Sequence, residues 1–559
     1  MITDIRSAGL PDSIECDVAI VGAGAAGIVL ALELARAGRD VIVLEAGGDK
    51  FDPLSQAFYH AEAIAPDTHG PVHMFRRRVL GGSTSVWGGR CIPFDPIDFE
   101  TRPWMPYAKW PIGYDDVAKY YPRATEYTHS GPAIFDAGAA LPGEPAPMVG
   151  GVDSPDVVLD RIERFSHPTH FGVEYRAMLE RDPHIRLFLH APVERILTRD
   201  VGATAAGVRV HAGGDRRIDV MAPCVILATG GLEIPRLLLA SDQDRPKGLG
   251  NEHDLVGRFY QGHIEGEFGT IAFTKPTRSV RLDYQQSPEG IYCRRYIWLS
   301  PDAQRQHQLA GIVLRPAHPN IVDPGHRHPV LSAMYLVKNY IVPEYARKLT
   351  ALEYQEAMGL SGSRLGFWAA HARNMVLGAP KLMMFSQMWT RKRILSKRKL
   401  PSVVLRDPRE VYPVDLNAEQ EPNPDSRITL GDARDDNGMR RIRIDWRTTE
   451  GDHRRLAAGL RVMAAAFADS HTARLNFSDR DYAAAAARLV PIGGHHIGTA
   501  RMAETPQTGV CDANCELFET RGVYIAGAAA FSTSGFANPT LTLIALALRL
   551  ADHLKAQPR

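Results

Sequence analysis

The apolar positions of residues 16–48, CDVAIVGAGAAGIVLALELARAGRDVIVLEAGG, follow a strand–helix–strand pattern. Val18–Val21 is a short β-branched apolar run, which is typical of a buried parallel strand. The alanine- and leucine-rich stretch after it predicts a helix to about Ala37, and Gly38 predicts the end of that helix. The apolar run VIVL then predicts a second strand, which Glu45 closes. The segment therefore predicts an α/β fold.

Four later segments also have patterns that predict strands or helices. In 222–241 an apolar run followed by a glycine turn predicts a strand and then a helix, with Pro235 at a permitted early position of that helix. In 428–446 Asn437-Gly438 lies between two apolar runs and predicts two strands joined by a tight reversal. The segments 452–470 and 540–554 each predict a helix.

Composition narrows the class of protein. The 559 residues are too many for one simple core and predict two domains. Apolar residues make up 45% and charged residues 23%, and the net charge of +1 gives no general attraction to nucleic acid. No apolar run approaches the ~20 residues that a membrane helix needs, and no signal peptide is visible. Six cysteines at no framework spacing fit a reduced compartment, so a cytoplasmic protein is expected.

The turn after the first strand carries candidate nucleotide-binding residues. Gly22, Gly24 and Gly27 form G-x-G-x-x-G, which allows a tight turn, a close approach to a pyrophosphate and close helix–strand packing. Glu45 ends the next strand, where a carboxylate accepts hydrogen bonds from both ribose hydroxyls and repels a 2′-phosphate. The unit therefore predicts dinucleotide binding and disfavours NADP. It does not separate FAD from NAD, although its place near the N-terminus favours a flavoprotein.

A second glycine-dense loop, RRRVLGGSTSVWGGRC at 76–91, can run its backbone along a phosphate or a flavin edge. With DPIDFE at 95–100, it resembles the flavin-contacting segment of glucose–methanol–choline (GMC) oxidoreductases. The branch that it resembles most contains pyranose oxidases and bacterial glycoside 3-oxidases or 3-dehydrogenases. Other segments similar to this family are HAPVERI (190–196), APCVILATGGLEIPRLLLAS (222–241), LVGRFYQGH (255–263) and EPNPDSRITL (421–430).

The resemblance implies a fold, a domain division and a cofactor. The implied fold is a Rossmann-like FAD-binding domain (1–105, 190–265 and 476–559) interwoven with an α+β substrate domain built on an antiparallel sheet (106–189 and 266–475). Fungal pyranose oxidases attach FAD through a histidine one residue before a loop tryptophan. Val86 precedes Trp87 here, so we predict FAD held without a covalent bond. The residues expected to contact FAD are Gly22, Gly24, Ala26, Gly27, Glu45, Ala46, Gly81, Gly82, Ser83, Ser85, Val86, Val193, Ala228, Gly230, Gly527, Ala528, Asn538, Pro539 and Thr540.

Two histidines and an asparagine are the candidate catalytic residues. Adjacent side chains on an extended chain point to opposite sides, and no suitable ligand spacing is nearby, so no metal site is expected. GMC enzymes place a histidine three residues before a Gly-Thr pair, facing the flavin. Gly498-Thr499 is that pair here, which makes His495 the expected base and His496 the runner-up. The second family residue, His or Asn, falls at Asn538 in GFANPTLT.

The chemistry of alcohol oxidation calls for these residue types. Flavin-dependent oxidation removes a hydroxyl proton and moves a hydride from carbon to N5 of the flavin. Because an alcohol is a very weak acid, a base with a near-neutral pKa has to share its proton, and imidazole suits this task. Asn538 can orient the alcohol through hydrogen bonds. Pro539 suits the first turn of the last helix, whose positive end is expected at the pyrimidine side of the flavin.

These features predict the FAD-dependent oxidation of a secondary alcohol of a sugar or glycoside to a ketone. Oxidation of an aliphatic, aromatic or polycyclic alcohol is the alternative enzyme activity. A non-catalytic flavin-bound partner subunit is a third interpretation. The electron acceptor, oxygen or another molecule, and the oligomeric state stay open.

Residues 370–402 contain an amphipathic and strongly basic stretch. Pro380 can open a helix with apolar side chains near helical spacing, and six basic residues follow between positions 391 and 399. A domain helix with a solvated basic end is the favoured interpretation. Contact of 380–399 with an anionic membrane surface or an acidic partner is the alternative.

Overall fold

A six-stranded parallel sheet carries the first strand–helix–strand unit in the computed structural model. Every neighbouring pair in it is parallel. In spatial order its strands are Ile2–Asp4, Ile185–Leu189, Val41–Leu44, Val18–Val21, Cys224–Leu227 and Val523–Ile525. The structure describes residues 1–558 except 8, 66–68, 74, 168, 275–278, 342–363, 408, 480–482, 484–489 and 492–493.

Two glycines explain why this sheet and its first helix, Ala25–Arg36, pack so closely. Gly22 has φ +102°, and a Cβ there would lie 2.7 Å from the carbonyl oxygen of Ala228 on the neighbouring strand's turn. A Cβ on Gly27 would lie 1.9 Å from the carbonyl oxygen of Gly22. Helix and turn therefore touch backbone to backbone, as the G-x-G-x-x-G spacing predicts.

Antiparallel pairing dominates the other sheets. The largest contains Ala473–Asn476, Ile264–Phe273, Val411–Ala418, Ile312–Pro316, Ile297–Leu299 and Val157–Val158, with Val490–Pro491 also pairing to Ile264–Phe273. A second contains Val193–Arg199, Thr204–His211, Arg217–Met221 and Ser13–Glu15, a third Gln285–Gln286, Tyr292–Arg295, Ile162–Phe165 and Arg90–Cys91, and a fourth Arg427–Arg434, Arg440–Asp445 and Glu62–Ala63. The predicted combination of a Rossmann-like sheet with an antiparallel substrate sheet is confirmed.

The predicted helices and the predicted strand reversal are present. Glu450–Ala468 begins at Thr449, whose hydroxyl accepts from the backbone N–H of Asp452. Arg427–Arg434 and Arg440–Asp445 reverse at Gly438, which has φ +83°. The described helices are Ala25–Arg36, Pro53–Gln56, Pro96–Phe99, Tyr114–Ala118, Tyr121–Thr128, Ala137–Ala140, Phe171–Glu174, Arg176–Arg181, Glu233–Ala240, Pro301–His307, Pro329–Ile341, Arg364–Leu377, Ala379–Trp389, Glu450–Ala468 and Thr540–Ala556.

One strand lies on the other side of the predicted domain boundary. Ile185–Leu189, which falls within the expected substrate segment 106–189, is the second strand of the parallel sheet. Four of its five residues are buried, among them Leu187, Phe188 and Leu189, so sheet packing decides where it belongs. The boundary therefore moves towards the N-terminus by at least this strand, and the remaining division stays a prediction.

A buried ion pair joins the nucleotide-binding half to the large antiparallel sheet. Arg102 lies just after segment 95–100, which resembles a flavin-contacting segment. Its guanidinium donates to both carboxylate oxygens of Glu419 at 2.6 and 2.5 Å. Glu419 follows the strand Val411–Ala418, and neither side chain is exposed. A bidentate pair of this kind fixes both distance and orientation between the two parts.

None of the helices in the described part of the chain is long and apolar enough to cross a bilayer. The cytoplasmic location stays a prediction.

Candidate active site

A cavity of about 630 Å³ lies at the carboxyl ends of the parallel strands, where α/β folds bind their ligands. The turns after Val18–Val21 and Cys224–Leu227 and the start of helix Thr540–Ala556 form part of its wall. Of the predicted site residues, those that line it are Gly22, Gly24, Ala26, Glu45, Ala46, Gly82, Ser83, Val86, Val193, Ala228, Gly230, His495, His496, Gly527, Ala528, Asn538, Pro539 and Thr540. Gly27, Gly81 and Ser85 lie behind this wall.

Three glycines leave the backbone bare towards the cavity. A Cβ added at Gly24, Gly230 or Gly527 would meet no atom within 4 Å. Gly24 is also the residue that precedes the first turn of helix Ala25–Arg36, where unpaired N–H groups and the positive helix end favour a phosphate. The space beside these glycines therefore fits the diphosphate of a dinucleotide.

Glu45 is fully enclosed at the end of strand Val41–Leu44. Its carboxylate accepts hydrogen bonds from the backbone N–H groups of Ala23 at 3.0 Å and Gly47 at 2.7 Å. Burial raises the pKa of this carboxyl, and the two N–H donors act in the opposite direction. Each oxygen holds one donor and keeps a lone pair, which fits a group that accepts from ribose hydroxyls.

The glycine-dense loop 76–91 lies directly against the nucleotide-binding turn. Gly82 has φ +55°, and a Cβ there would come within 3.1 Å of the Cα of Gly24. Gly81 packs tightly against Gly172, because a Cβ added at Gly81 would lie 2.4 Å from the backbone nitrogen of Gly172. The turn Gly82–Ser85 then leads to Val86 on the cavity wall. We call the glycine turn 22–27 and this loop the glycine cradle. It lines the cavity from the expected diphosphate position at Gly24 to Val86.

His495 and Asn538 meet on the cavity wall. The side-chain amide nitrogen of Asn538 is 3.1 Å from Nε2 of His495. On the other side of the ring, Nδ1 of His495 is 2.7 Å from Nδ1 of His263. Nε2 of His263 is 3.2 Å from the backbone carbonyl oxygen of Ser534. These contacts form one chain of polar atoms that runs from the backbone to the cavity.

The carbonyl of Ser534 decides which ring nitrogens carry hydrogen. A carbonyl can only accept, so His263 donates from Nε2 and its Nδ1 is left as an acceptor. His495 then donates from Nδ1, which leaves a lone pair on its Nε2 beside Asn538. The Asn538 amide nitrogen donates one hydrogen to this lone pair, the single one on Nε2, so a substrate hydroxyl has to displace that hydrogen before His495 can act as a base. Among the described residues, none donates to the buried amide oxygen of Asn538.

Burial keeps both imidazoles neutral. Burial lowers the pKa of His263 to about 4. Burial of the His495 ring, followed by the charges of His263 and Arg90, holds the pKa of His495 well below the usual 6.5. The sequence predicts a base with a near-neutral pKa, whereas the structure gives one with a lower pKa. The main cause is burial of the ring, to which the charges of His263 and Arg90 add. His495 is consequently in its proton-accepting form throughout the neutral pH range.

His496 occupies a different environment from His495. Its ring stacks on Tyr260 at 6.0 Å between centroids, and burial, Arg76 and His69 lower its pKa. The two adjacent rings therefore diverge, as expected for neighbours on an extended segment.

His263 and Glu265 are residues that sequence reasoning missed. They are two positions apart at the start of strand Ile264–Phe273, so both face the same side, and Glu265 Oε1 is 4.0 Å from Nδ1 of His495. The H-x-E spacing at 263–265 was the available signal. His263, Glu265 and His495 have ligand atoms close enough for a metal ion, as do His129, His167 and Glu174 elsewhere. At 2.7 Å the two Nδ1 atoms of the first group fit a shared proton, which accounts for their approach.

Comparison with known proteins agrees with this arrangement. Residues 17–326, more than half of the chain, match the family model of FAD dependent oxidoreductases, and residues 422–547 match that of GMC oxidoreductases. The 2-methyl-1,2-propanediol dehydrogenase of Mycolicibacterium austroafricanum is 24% identical, over 97% of this chain and 95% of its own length. Paromamine 6′-oxidase of Streptomyces fradiae is 22% identical, over 96% of this chain and 90% of its own.

Solved structures share the fold. Pyridoxine 4-oxidase from Mesorbium loti is similar with a TM-score of 0.56 at 16% identity, covering 97% of this chain and 100% of the other. The extent of the family match, the glycine cradle and the enclosed Glu45 agree on the cofactor. The chain therefore belongs to the FAD-dependent oxidoreductases and is an enzyme of their GMC type.

Proposed function

We propose that this FAD-dependent alcohol oxidoreductase converts a secondary alcohol of a sugar or glycoside to a ketone, with His495 as the base. The observation that carries the proposal is the unprotonated Nε2 of His495 on the cavity wall, 3.1 Å from the amide nitrogen of Asn538. A base and an orienting amide at this separation can both reach one hydroxyl group.

We assign the cofactor contacts from the shape of the cavity. The backbone at Gly24 and the start of helix Ala25–Arg36 would hold the diphosphate, and Glu45 would accept from the ribose hydroxyls. The helix Thr540–Ala556 would direct its N-terminal end to the pyrimidine side of the ring. When bound, FAD supplies the hydride acceptor.

The protein's own groups then deal with the hydroxyl. The alcohol hydroxyl first takes the place of the Asn538 N–H on the lone pair of His495 Nε2. That nitrogen then takes the proton as the carbon–hydrogen bond breaks, and its Nδ1–H donates to His263, which stabilises the imidazolium that results. The Asn538 amide donates to the alcohol oxygen instead and holds it in line with the base.

A sugar ring suits another part of the cavity lining. Phe165 and Tyr284 stand edge to face there with centroids 5.1 Å apart, and Arg90 and Glu265 line the same cavity. Aromatic rings can pack on the apolar face of a sugar, while a guanidinium and a carboxylate can bind its hydroxyl groups. The likeness to paromamine 6′-oxidase along nearly the whole chain supports a polyhydroxylated substrate.

Oxidation of a small non-sugar alcohol is the second candidate. It is favoured by the 24% identity to a 2-methyl-1,2-propanediol dehydrogenase over 97% of the chain. Because the chain is an enzyme, the interpretation as a non-catalytic subunit is set aside.

Anaerobic loss of flavin absorbance upon mixing with a panel of alcohols tests the substrate class. We expect a sugar or glycoside to reduce the flavin faster than propanediols or benzyl alcohol, and a deoxy analogue lacking the oxidised hydroxyl to leave it oxidised. Reduction by the diols alone would transfer the proposal to the second candidate. Failure of every alcohol to reduce the flavin would refute both.

Replacing His495 by alanine should slow flavin reduction by the reactive alcohol about 10²–10⁴-fold, the usual contribution of a general base. FAD should remain bound, since the cradle glycines and Glu45 are unchanged. Stopped-flow absorbance under anaerobic conditions measures the rate. His496→Ala is the control and should change it less than about tenfold. The reverse order of the two variants would make His496 the base.

The role of His263 can be separated from a packing role by two substitutions. His263→Asn keeps an acceptor for the Nδ1–H of His495, whereas His263→Leu removes it. We expect the leucine variant to lose about 10²-fold in the rate of flavin reduction, because the base loses its orientation, and the asparagine variant to recover most of this loss. Equal losses in both variants, with bound FAD unchanged, would contradict an orienting hydrogen bond.

Gly24→Ala and Gly27→Ala distinguish a ligand contact from a packing contact. Gly24 has φ −81° and open space at its Cβ position, so alanine should leave the melting temperature of the apoprotein unchanged and weaken FAD binding at least about tenfold. Gly27→Ala should lower the melting temperature instead, because its Cβ strikes the Gly22 carbonyl. FAD titration and thermal melting measure the two effects. Normal FAD affinity in Gly24→Ala would remove the diphosphate from this position.

A further inference from the structure

Two consecutive helices, Arg364–Leu377 and Ala379–Trp389, together with the turn Thr390–Ile394 and the residue Leu395 after it, expose large apolar side chains to solvent. Seven of them are between 63% and 82% exposed, far more than an ordinary helix face on a globular protein. We call these seven the helical patch: Leu365, Val376, Leu377, Met383, Met384, Ile394 and Leu395.

The opposite side of these elements is fixed to the body of the protein. Helix Arg364–Leu377 buries Phe367 and His371 against helix Pro329–Ile341. Met388 packs against the cluster of Phe165, Tyr292 and Leu400. The elements are therefore held with the helical patch facing outwards, and its exposure is a property of the folded state.

Positive charge surrounds the helical patch. Residues 364–406 contain ten Lys or Arg and no Asp or Glu, although the whole chain has a net charge of only +1. Within the described part of the chain, the exposed Arg391, Lys392, Lys397 and Lys399 make no ion pair with a carboxylate. An acidic surface is the complement of such a rim.

We propose that the helical patch docks on the surface of an anionic lipid bilayer. The long, flexible Met, Leu and Ile side chains would enter the boundary between headgroups and acyl chains, and the basic side chains would lie at the level of the anionic headgroups. An acidic protein would also satisfy the charge, but apolar side chains exposed to this degree on helices beside basic residues are the pattern of helices that lie in a bilayer interface. The sequence pattern favours a solvated helix end, and the observed exposure reverses that preference.

Docking would bring the membrane to one wall of the active-site cavity. Pro401 and Ser402, which line that cavity, follow Leu400 at the end of the basic run, and Leu400 is buried in the cluster against which Met388 packs. The proposal does not depend on which alcohol is oxidised.

Co-sedimentation of the FAD-loaded protein with lipid vesicles tests the proposal. We expect binding to vesicles that contain phosphatidylglycerol, at least tenfold weaker binding to pure phosphatidylcholine, and loss of binding as salt is raised. The tenfold difference is expected because each basic residue near an anionic surface contributes about fivefold in affinity, and several basic residues surround the helical patch. Absence of binding to the anionic vesicles at low salt would overturn the proposal.

Two double variants distinguish binding through the helical patch from non-specific binding to vesicles. The double substitution Met383→Glu with Met384→Glu should abolish sedimentation. The control pair Leu54→Glu with Val201→Glu removes side chains that are 80% and 73% exposed elsewhere, adds the same charge, and should bind like the wild type. Bound-flavin absorbance verifies that all proteins are folded. Wild-type sedimentation of the first pair would refute the docking face. If both double variants bound soluble polyglutamate equally well and neither bound vesicles, the basic residues would be assigned to an acidic partner instead.

Discussion

The hydrogen bond between the Nδ1 atoms of His263 and His495 joins positions 232 residues apart in the chain. His263 stands before the first long strand of the antiparallel sheet, and His495 lies in the segment that returns to the nucleotide-binding half. Through Ser534, this bond sets the tautomers of both rings and directs one lone pair into the cavity. The reactive end of the site therefore exists only where the two halves of the molecule meet, and the buried pair Arg102–Glu419 holds them in that relation.

Local sequence signals predicted the parts of the site that short segments build by themselves. The glycine turn, Glu45 and the start of the last helix each depend on a few consecutive residues, because backbone geometry and strand length determine them. His263 and Glu265 were missed, since their importance comes from pairing between distant strands and not from their neighbours. The lowered pKa of His495 was missed for the same reason, because the burial that causes it, and the approach of His263 and Arg90, depend on segments distant in the chain. The strand Ile185–Leu189 shows that a boundary drawn along the chain does not determine which sheet completes its hydrogen bonds.

The helices after residue 364 illustrate a second limit. Helical periodicity and Pro380 predicted a helix, and Ala379–Trp389 confirms one. Periodicity also shows that one face is apolar, but on a domain helix that face is expected to be the buried one. Here Met388 is on the packed side while Met383 and Met384 are in solvent, so apolar side chains occur on both. Only the packing of the helices against Pro329–Ile341 and Leu400 reveals which methionines are left uncovered.

The contact between helix Thr540–Ala556 and helix Ala25–Arg36 has a consequence for biosynthesis. The glycine turn leaves the ribosome early, whereas the strand Val523–Ile525 and Asn538 are translated more than five hundred residues later. Until then the strand Cys224–Leu227 lacks its second neighbour on the sheet, and the cavity lacks one wall. Flavin capture is therefore a late event, after translation of this region. From residue 227 to residue 523 the nascent chain has to be protected from aggregation through this unpaired strand edge.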